Sequence, residues 1–233
     1  MMIQGLQRLS LLDYPGKVAC TVFTAGCDFR CPFCHNASLV LPGEIGKPEM
    51  DESAFFAFLA SRKGKIDGVC ISGGEPLLQA DIADFIRKVR GMGFSVKLDT
   101  NGSFPGKLRD LAGEGLLDYV AMDIKNSLAR YGETVGIKGY GTKAVEESAE
   151  FLLSGTLAFE FRTTVVREFH DEDSFRAIGE WIRGNEHYYL QQFVDSGDLV
   201  GRGLHEADIP AMNRYKEVVS AYVPKVELRG MKV

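Results

Sequence analysis

The chain has 233 residues, 45% of them hydrophobic and 25% charged, with a net charge of −5. That length supports one sizeable core, and a single domain over residues 1–233 is expected, since α/β barrels commonly run to about 200–250 residues. The mild negative charge, with no basic block, gives no nucleic-acid footprint; no apolar run approaches the roughly 20 residues of a membrane helix, and the N-terminal Met1–Gly5 lacks a secretory signal pattern, so a cytoplasmic location is expected.

In chain order, short apolar runs alternate with amphipathic stretches. A strand is expected over 17–24, followed by a helix that Asp51 is placed to cap and that carries Phe55, Phe58 and Leu59. A second strand spans 67–72. Ile82, Phe85, Ile86 and Val89 then recur at i, i+3, i+4 and i+7, the clearest helical period in the chain. Strands are expected over 94–99, 118–124 and 157–166. A helix marked by Phe175, Ile178 and Ile182 follows, with acidic residues at its N-terminus. The last strand covers 187–194, and the last helix carries Met212, Tyr215, Val219 and Tyr222.

Strands alternating with helices imply βαβ units and a parallel sheet, hence an α/β fold. Six units are too few for a closed eight-stranded barrel. The polar segments favour a barrel-like arc over a doubly wound sheet, because each follows a strand: Gly26–His35, Ser72–Pro76, Asp99–Gly102 and Asp123–Lys125. In parallel α/β folds such loops meet on one face, where active sites form.

Of five cysteines, three fall within eight residues, in Cys27-Asp28-Phe29-Arg30-Cys31-Pro32-Phe33-Cys34. A disulfide framework would be even-numbered and dispersed, so the cluster points to a metal. Cys20 and Cys70 sit inside apolar runs and are expected to be ordinary buried strand residues. Three thiolates with gaps of three and two residues can wrap a soft-metal centre. A 4Fe–4S cluster ordinarily takes four cysteines; with no fourth nearby, one iron stays open for chemistry. Zinc held by three cysteines and a histidine competes poorly, because His35 adjoins Cys34 and the other histidines, at 170, 187 and 205, are distant in sequence.

The Cys-x3-Cys-x2-Cys spacing, with Phe33 before its last cysteine, resembles the signature of the radical S-adenosylmethionine (radical SAM) superfamily. Gly73-Gly74-Glu75-Pro76 matches the Gly-Gly-Glu-Pro motif of that family. Leu98-Asp99-Thr100-Asn101-Gly102 and Ala121-Met122-Asp123-Ile124-Lys125 look like segments of its glycyl-radical-enzyme activating enzymes. Gly5–Lys17 is similar to the anaerobic ribonucleoside-triphosphate reductase activating proteins.

The resemblance implies a partial (β/α)6 TIM-like barrel of the radical SAM type. It implies a 4Fe–4S cluster on Cys27, Cys31 and Cys34, with S-adenosylmethionine at the open iron and no catalytic side chain beyond cluster and cofactor. Gly73, Gly74 and Glu75 would bind the methionyl amino group, with Gly74 permitting a close backbone approach. Phe33, Cys34 and His35 would face the adenine. Asp99, Thr100, Asn101, Asp123 and Lys125 would line the cofactor, and a monovalent cation would sit near Asp99 and Asp123. Taken alone, the Asp99–Gly102 segment also reads as an Asx-type turn with Gly102 left-handed. Arg162, on an apolar strand, needs a partner: either an internal salt bridge or, as in the subgroup, the cofactor carboxylate or ribose. Gln192 ends the sixth strand, where related activators carry a histidine near the adenine and this chain has Phe193 close by.

The implied reaction is hydrogen abstraction from a glycine of a partner glycyl radical enzyme, with anaerobic ribonucleotide reductase the expected partner and flavodoxin or ferredoxin the expected electron donor. Two rivals are a radical SAM enzyme acting on a small molecule and a non-enzymatic cluster-binding module. Substrate consumption with 5′-deoxyadenosine release would favour the first rival, and the presence of Gly73–Pro76 counts against the second.

Overall fold

The strands of the computed structural model, which describes residues 1–231, follow one another in sequence order through one eight-stranded sheet. Two compact units share the chain: residues 1–28, 38–100 and 104–120 form the first, and residues 29–37, 101–103 and those from 121 onward form the second.

In the first unit, β1 (Ile3–Ser10) pairs antiparallel with β2 (Ala19–Thr24), with Leu6 opposite Val22. β2 then pairs parallel with β3 (Gly68–Gly73), and β3 with β4 (Ser95–Thr100), in the register Val22–Ile71–Leu98. Parallel strands are buried on both faces and so read as continuous apolar runs; Cys20, Val22, Val69, Cys70, Ile71, Val96 and Leu98 are fully buried. Cys20 and Cys70 are thus the strand residues expected. Of the helices, α1 (Ala37–Val40) is a single turn entered from the other unit. Helix α2 (Glu52–Ser61) begins where the Asp51 carboxylate accepts from the Ala54 N–H at 2.8 Å. Phe55 of α2 meets Phe85 of α3 (Ile82–Gly91) at 5.3 Å between ring centres, and Ile82, Phe85, Ile86 and Val89 are all buried. Helix α4 (Pro105–Gly113) packs through Leu108 and Leu111.

Strand β5 (Tyr119–Asp123) carries the chain from the first unit into the second. There, β6 (Ala158–Val165), β7 (His187–Gln192) and β8 (Lys225–Arg229) are parallel, in the register Thr163–Leu190–Leu228. The turn α5 (Tyr131–Thr134) and helices α6 (Lys143–Leu153), α7 (Glu172–Trp181) and α8 (Ile209–Ser220) complete this unit. Asp171 and Asp208 cap α7 and α8 by accepting from Ser174 and Ala211 N–H groups, and the rings of Phe175 and Tyr215 stack at 4.7 Å.

All six strands expected from the sequence are present, and β1 and β8 are additional. β1 is mixed in composition and half exposed, and β8 is short and charged, so neither displays the apolar run of a buried strand. Helices α4 and α6 also lacked a distinct signal. Tyr222 lies beyond the end of α8, against Gly179 of α7. Among the described residues no helix is long and apolar enough to cross a membrane.

Candidate functional site: the loops after the strands

Cys27 belongs to the first unit, half-buried beside Asp28 (Sγ to Oδ1, 3.9 Å). Cys31 and Cys34 belong to the second unit, on a turn closed by the Cys34 N–H donating to the Cys31 carbonyl at 3.0 Å. Two aromatic side chains hold that turn. Phe29 is buried edge-on against Tyr140 (5.1 Å) and Tyr131 (6.4 Å), and Phe33 packs on Phe169 (5.8 Å). Among the described residues no cysteine is joined in a disulfide. Among the described residues no three His, Cys, Asp or Glu side chains are arranged to grip a metal. The donor chemistry nonetheless fits a soft metal centre. Burial pushes the Cys31 thiol up to about 12, with the Lys125 ammonium pulling against that rise, and a metal replacing the proton supplies the compensation that burial denies a bare thiolate. The His35 ring stacks on Phe193 at 5.4 Å, and burial, then the Lys125 charge, lowers its pKa.

The Gly73–Glu75 loop shows why its first two residues have no side chain. Gly73 has φ of 121°, and a Cβ there would lie 2.2 Å from the Thr24 nitrogen; a Cβ on Gly74 would lie 1.9 Å from the Gly26 carbonyl oxygen. Gly74 makes a close approach to the Gly26 backbone, as the loops after β2 and β3 run side by side. The Gly74 N–H donates to Thr24 (3.0 Å) and the Glu75 N–H to Gly26 (2.8 Å). The Glu75 side chain is fully buried and accepts from the Leu77 N–H (3.0 Å) and the Thr100 hydroxyl (2.9 Å), tying the loop after β3 to the end of β4.

At that end, Asp99 accepts from the Ser72 hydroxyl at 3.1 Å on one oxygen and from the Lys97 ammonium on the other. The Asx turn is present: Asn101 Oδ1 accepts from the Ser103 N–H (2.9 Å), and Gly102 is left-handed at φ 78°.

In the second unit Arg162 reaches Asp123, Nε donating to Oδ1 at 2.6 Å, and Lys125 Nζ donates to Oδ2 at 3.1 Å. Of the two readings for Arg162, the internal ion pair is therefore formed. Burial works to raise the Asp123 pKa, but the two cations overcome it and hold the carboxyl well below the usual range. Burial likewise works to lower Lys125, and Asp123 with the neighbouring cysteines keeps it above its ordinary value. Gln192 is buried, with its amide donating to the Ala207 carbonyl at 2.8 Å.

Two supporting residues escaped the sequence reading. The Tyr131 hydroxyl lies 3.4 Å from the Lys125 nitrogen and 3.5 Å from the Asp123 carbonyl. His170 is 3% exposed and brackets the same segment. The Val166 N–H donates to its Nδ1 (3.1 Å), which selects the Nε2–H tautomer that donates to the Lys125 carbonyl (2.9 Å). No local pattern flagged it, because its partners lie four and 45 residues away.

Burial lowers the His170 pKa to about 4. The unfolded chain, with histidine near 6.5, binds the proton first, so stability falls as pH drops from about 6.5 toward 4. From pH 7 to pH 5 this one residue is expected to remove about 2 kcal/mol. Urea midpoints at the two pH values check this: His170→Gln, which cannot titrate, should lose that part of the difference.

The family model of the radical SAM superfamily matches residues 21–176. A protein of Methanocaldococcus jannaschii provisionally named a glycyl-radical enzyme activating enzyme is 30% identical over 235 residues, spanning 98% of this chain and 95% of that protein. The 7-carboxy-7-deazaguanine synthase of Thermococcus kodakarensis is 28% identical over 127 residues, 47% of this chain and 49% of that enzyme. The crystal structure of a domain of pyruvate-formate lyase-activating enzyme from Bacteroides vulgatus shares the fold, with a TM-score of 0.58 at 15% identity over 70% of this chain and 99% of that domain. With the family match covering well over half its length, and a relative aligned almost end to end, the chain belongs to the radical SAM superfamily and is a radical SAM oxidoreductase, a class whose cofactors are a 4Fe–4S cluster and S-adenosylmethionine.

Proposed function

We propose that this protein activates a glycyl radical enzyme. The observation that carries the reading is the likeness to the M. jannaschii protein over 98% of this chain. In this reading both units serve one radical SAM domain. Cys27, Cys31 and Cys34 hold the cluster, and Phe33, His35, Gly73, Gly74, Glu75, Asp99, Thr100, Asn101, Asp123, Lys125, Arg162 and Gln192 belong to the cofactor's surroundings. When bound, the cluster and S-adenosylmethionine supply one-electron cleavage of the cofactor and removal of one hydrogen atom from a glycine α-carbon of the partner.

The chain's own residues bind and orient. Lys125 and Arg162 present two cations suited to a carboxylate, with Asp123 fixing both by ion pairs. His170 and Tyr131 hold the backbone on which Asp123 and Lys125 stand. Buried Glu75 keeps the loop after β3 in register with Thr100.

Anaerobic ribonucleotide reductase is the proposed partner, flavodoxin or ferredoxin the proposed reductant, and the cytoplasm the proposed location. A monovalent cation beside Asp99 and Asp123 is left out of this reading, since each carboxylate already carries a cation from the chain.

A second reading, a small-molecule radical SAM enzyme, draws on the match to 7-carboxy-7-deazaguanine synthase. The deciding experiment is anaerobic reconstitution with iron and sulfide, then electron paramagnetic resonance of the reduced protein with and without S-adenosylmethionine, and then with a candidate reductase. A cluster signal that shifts on cofactor addition, followed by a glycyl radical signal on the reductase, is expected. Cofactor cleavage with no glycyl radical on any glycyl radical enzyme tested would sink the activating reading and favour the small-molecule one.

A further inference from the structure

Lys97 stands two residues before Asp99 on β4, so the period of two puts both on the same face of the strand. Its side chain is 1% exposed, and its ammonium donates to Asp99 Oδ1 and, at 3.9 Å, to Cys70 Sγ. The other Asp99 oxygen accepts from Ser72. A lysine is seldom buried this deeply unless it is paired. An ammonium group is close to potassium in charge and size. It therefore fills, covalently tethered, the role that a monovalent cation would have at this carboxylate. A free cation arriving at Asp99 would meet a like charge already seated on it, in surroundings that screen poorly.

We infer that Lys97 is a built-in cation, so that Asp99 recruits no sodium or potassium and the protein's handling of S-adenosylmethionine is independent of alkali metals. Lys97 is a positioning residue in this inference: it orders Asp99 and does not touch reacting atoms. The inference rests on the proposed place of Asp99 beside the cofactor, and its test includes a readout that does not need the cofactor.

The sodium NMR linewidth of the reconstituted protein is titrated with sodium chloride. In parallel, S-adenosylmethionine affinity is measured in sodium, potassium and choline chloride at a matched ionic strength of about 0.1 M, so that screening is equal. Wild type is expected to give no saturable sodium broadening, and affinities that agree within about twofold among the three salts. Lys97→Ala removes the tethered cation and is expected to gain a saturable sodium site, with affinity falling about tenfold or more in choline relative to sodium. Adding Asp99→Asn to it should abolish the gained site. Saturable broadening in wild type overturns the inference, as does a folded Lys97→Ala protein that gains no sodium site. If that variant fails to fold, the wild-type titration alone decides. A protein that binds no S-adenosylmethionine would defeat the proposed function while leaving the sodium titration to judge Lys97.

Discussion

Cys31→Ala is expected to bring bound iron to background after anaerobic reconstitution and to abolish S-adenosylmethionine cleavage, while the chain still folds. Cys31 is one of only three cysteines in the segment, and two thiolates cannot hold a cluster that ordinarily takes four. Cys31 is 7% exposed, with its thiol pKa pushed up by burial to about 12. Without a metal it stays protonated and acts as a small apolar side chain, so truncation to alanine should lower stability by only about 1 kcal/mol. Iron assay, 5′-deoxyadenosine production and a urea melt separate the two effects. A variant that keeps its iron and its activity would remove Cys31 from the ligand set.

Asp123→Ala is expected to act the other way round, retaining iron while weakening S-adenosylmethionine binding and stability together. Its loss leaves Arg162 and Lys125 facing each other with no anion between them. Removing one partner of a fully buried pair costs about 3–5 kcal/mol. Roughly a fifth of each of these side chains still meets solvent, so about 2–3 kcal/mol is the expected loss near neutral pH. The depressed Asp123 pKa gives the pH sign. Its contribution is present above the unfolded value near 3.9 and is lost as pH falls through the folded value. Wild-type and variant stabilities should therefore differ most near pH 7 and converge in strong acid. A variant that loses iron in proportion to its fold would instead mark Asp123 as purely structural. Asp123→Asn, which preserves shape without charge, should fall between the two.

Much of the first-order reading was legible along the chain. Continuous apolar runs announced the buried strands β2 to β7, and the i, i+3, i+4, i+7 pattern announced α3, because both signals are local. The three-cysteine spacing and the Gly73–Pro76 segment were equally plain, since both are contiguous. β1 and β8 were not legible, because strands that are half exposed or short carry a weak alternation and take their structure from a neighbour.

The sequence by itself determined the order of the six strands β2 to β7, the residue types for a soft-metal centre and the family those motifs imply. What only the tertiary structure decided is how those polar residues are partnered. Arg162 meets Asp123 across 39 positions, His170 supports Lys125 across 45, and Thr100 reaches Glu75 across 25. Burial keeps His170 neutral, whereas the ion pair outweighs burial at Asp123 and Lys125, and both effects depend on what the folded chain packs around a group rather than on its sequence neighbours. The glycines of the Gly73–Glu75 loop make the same point. Their identity is visible in the chain, but that Gly74 must clear the Gly26 carbonyl follows only from two loops brought side by side at the ends of parallel strands.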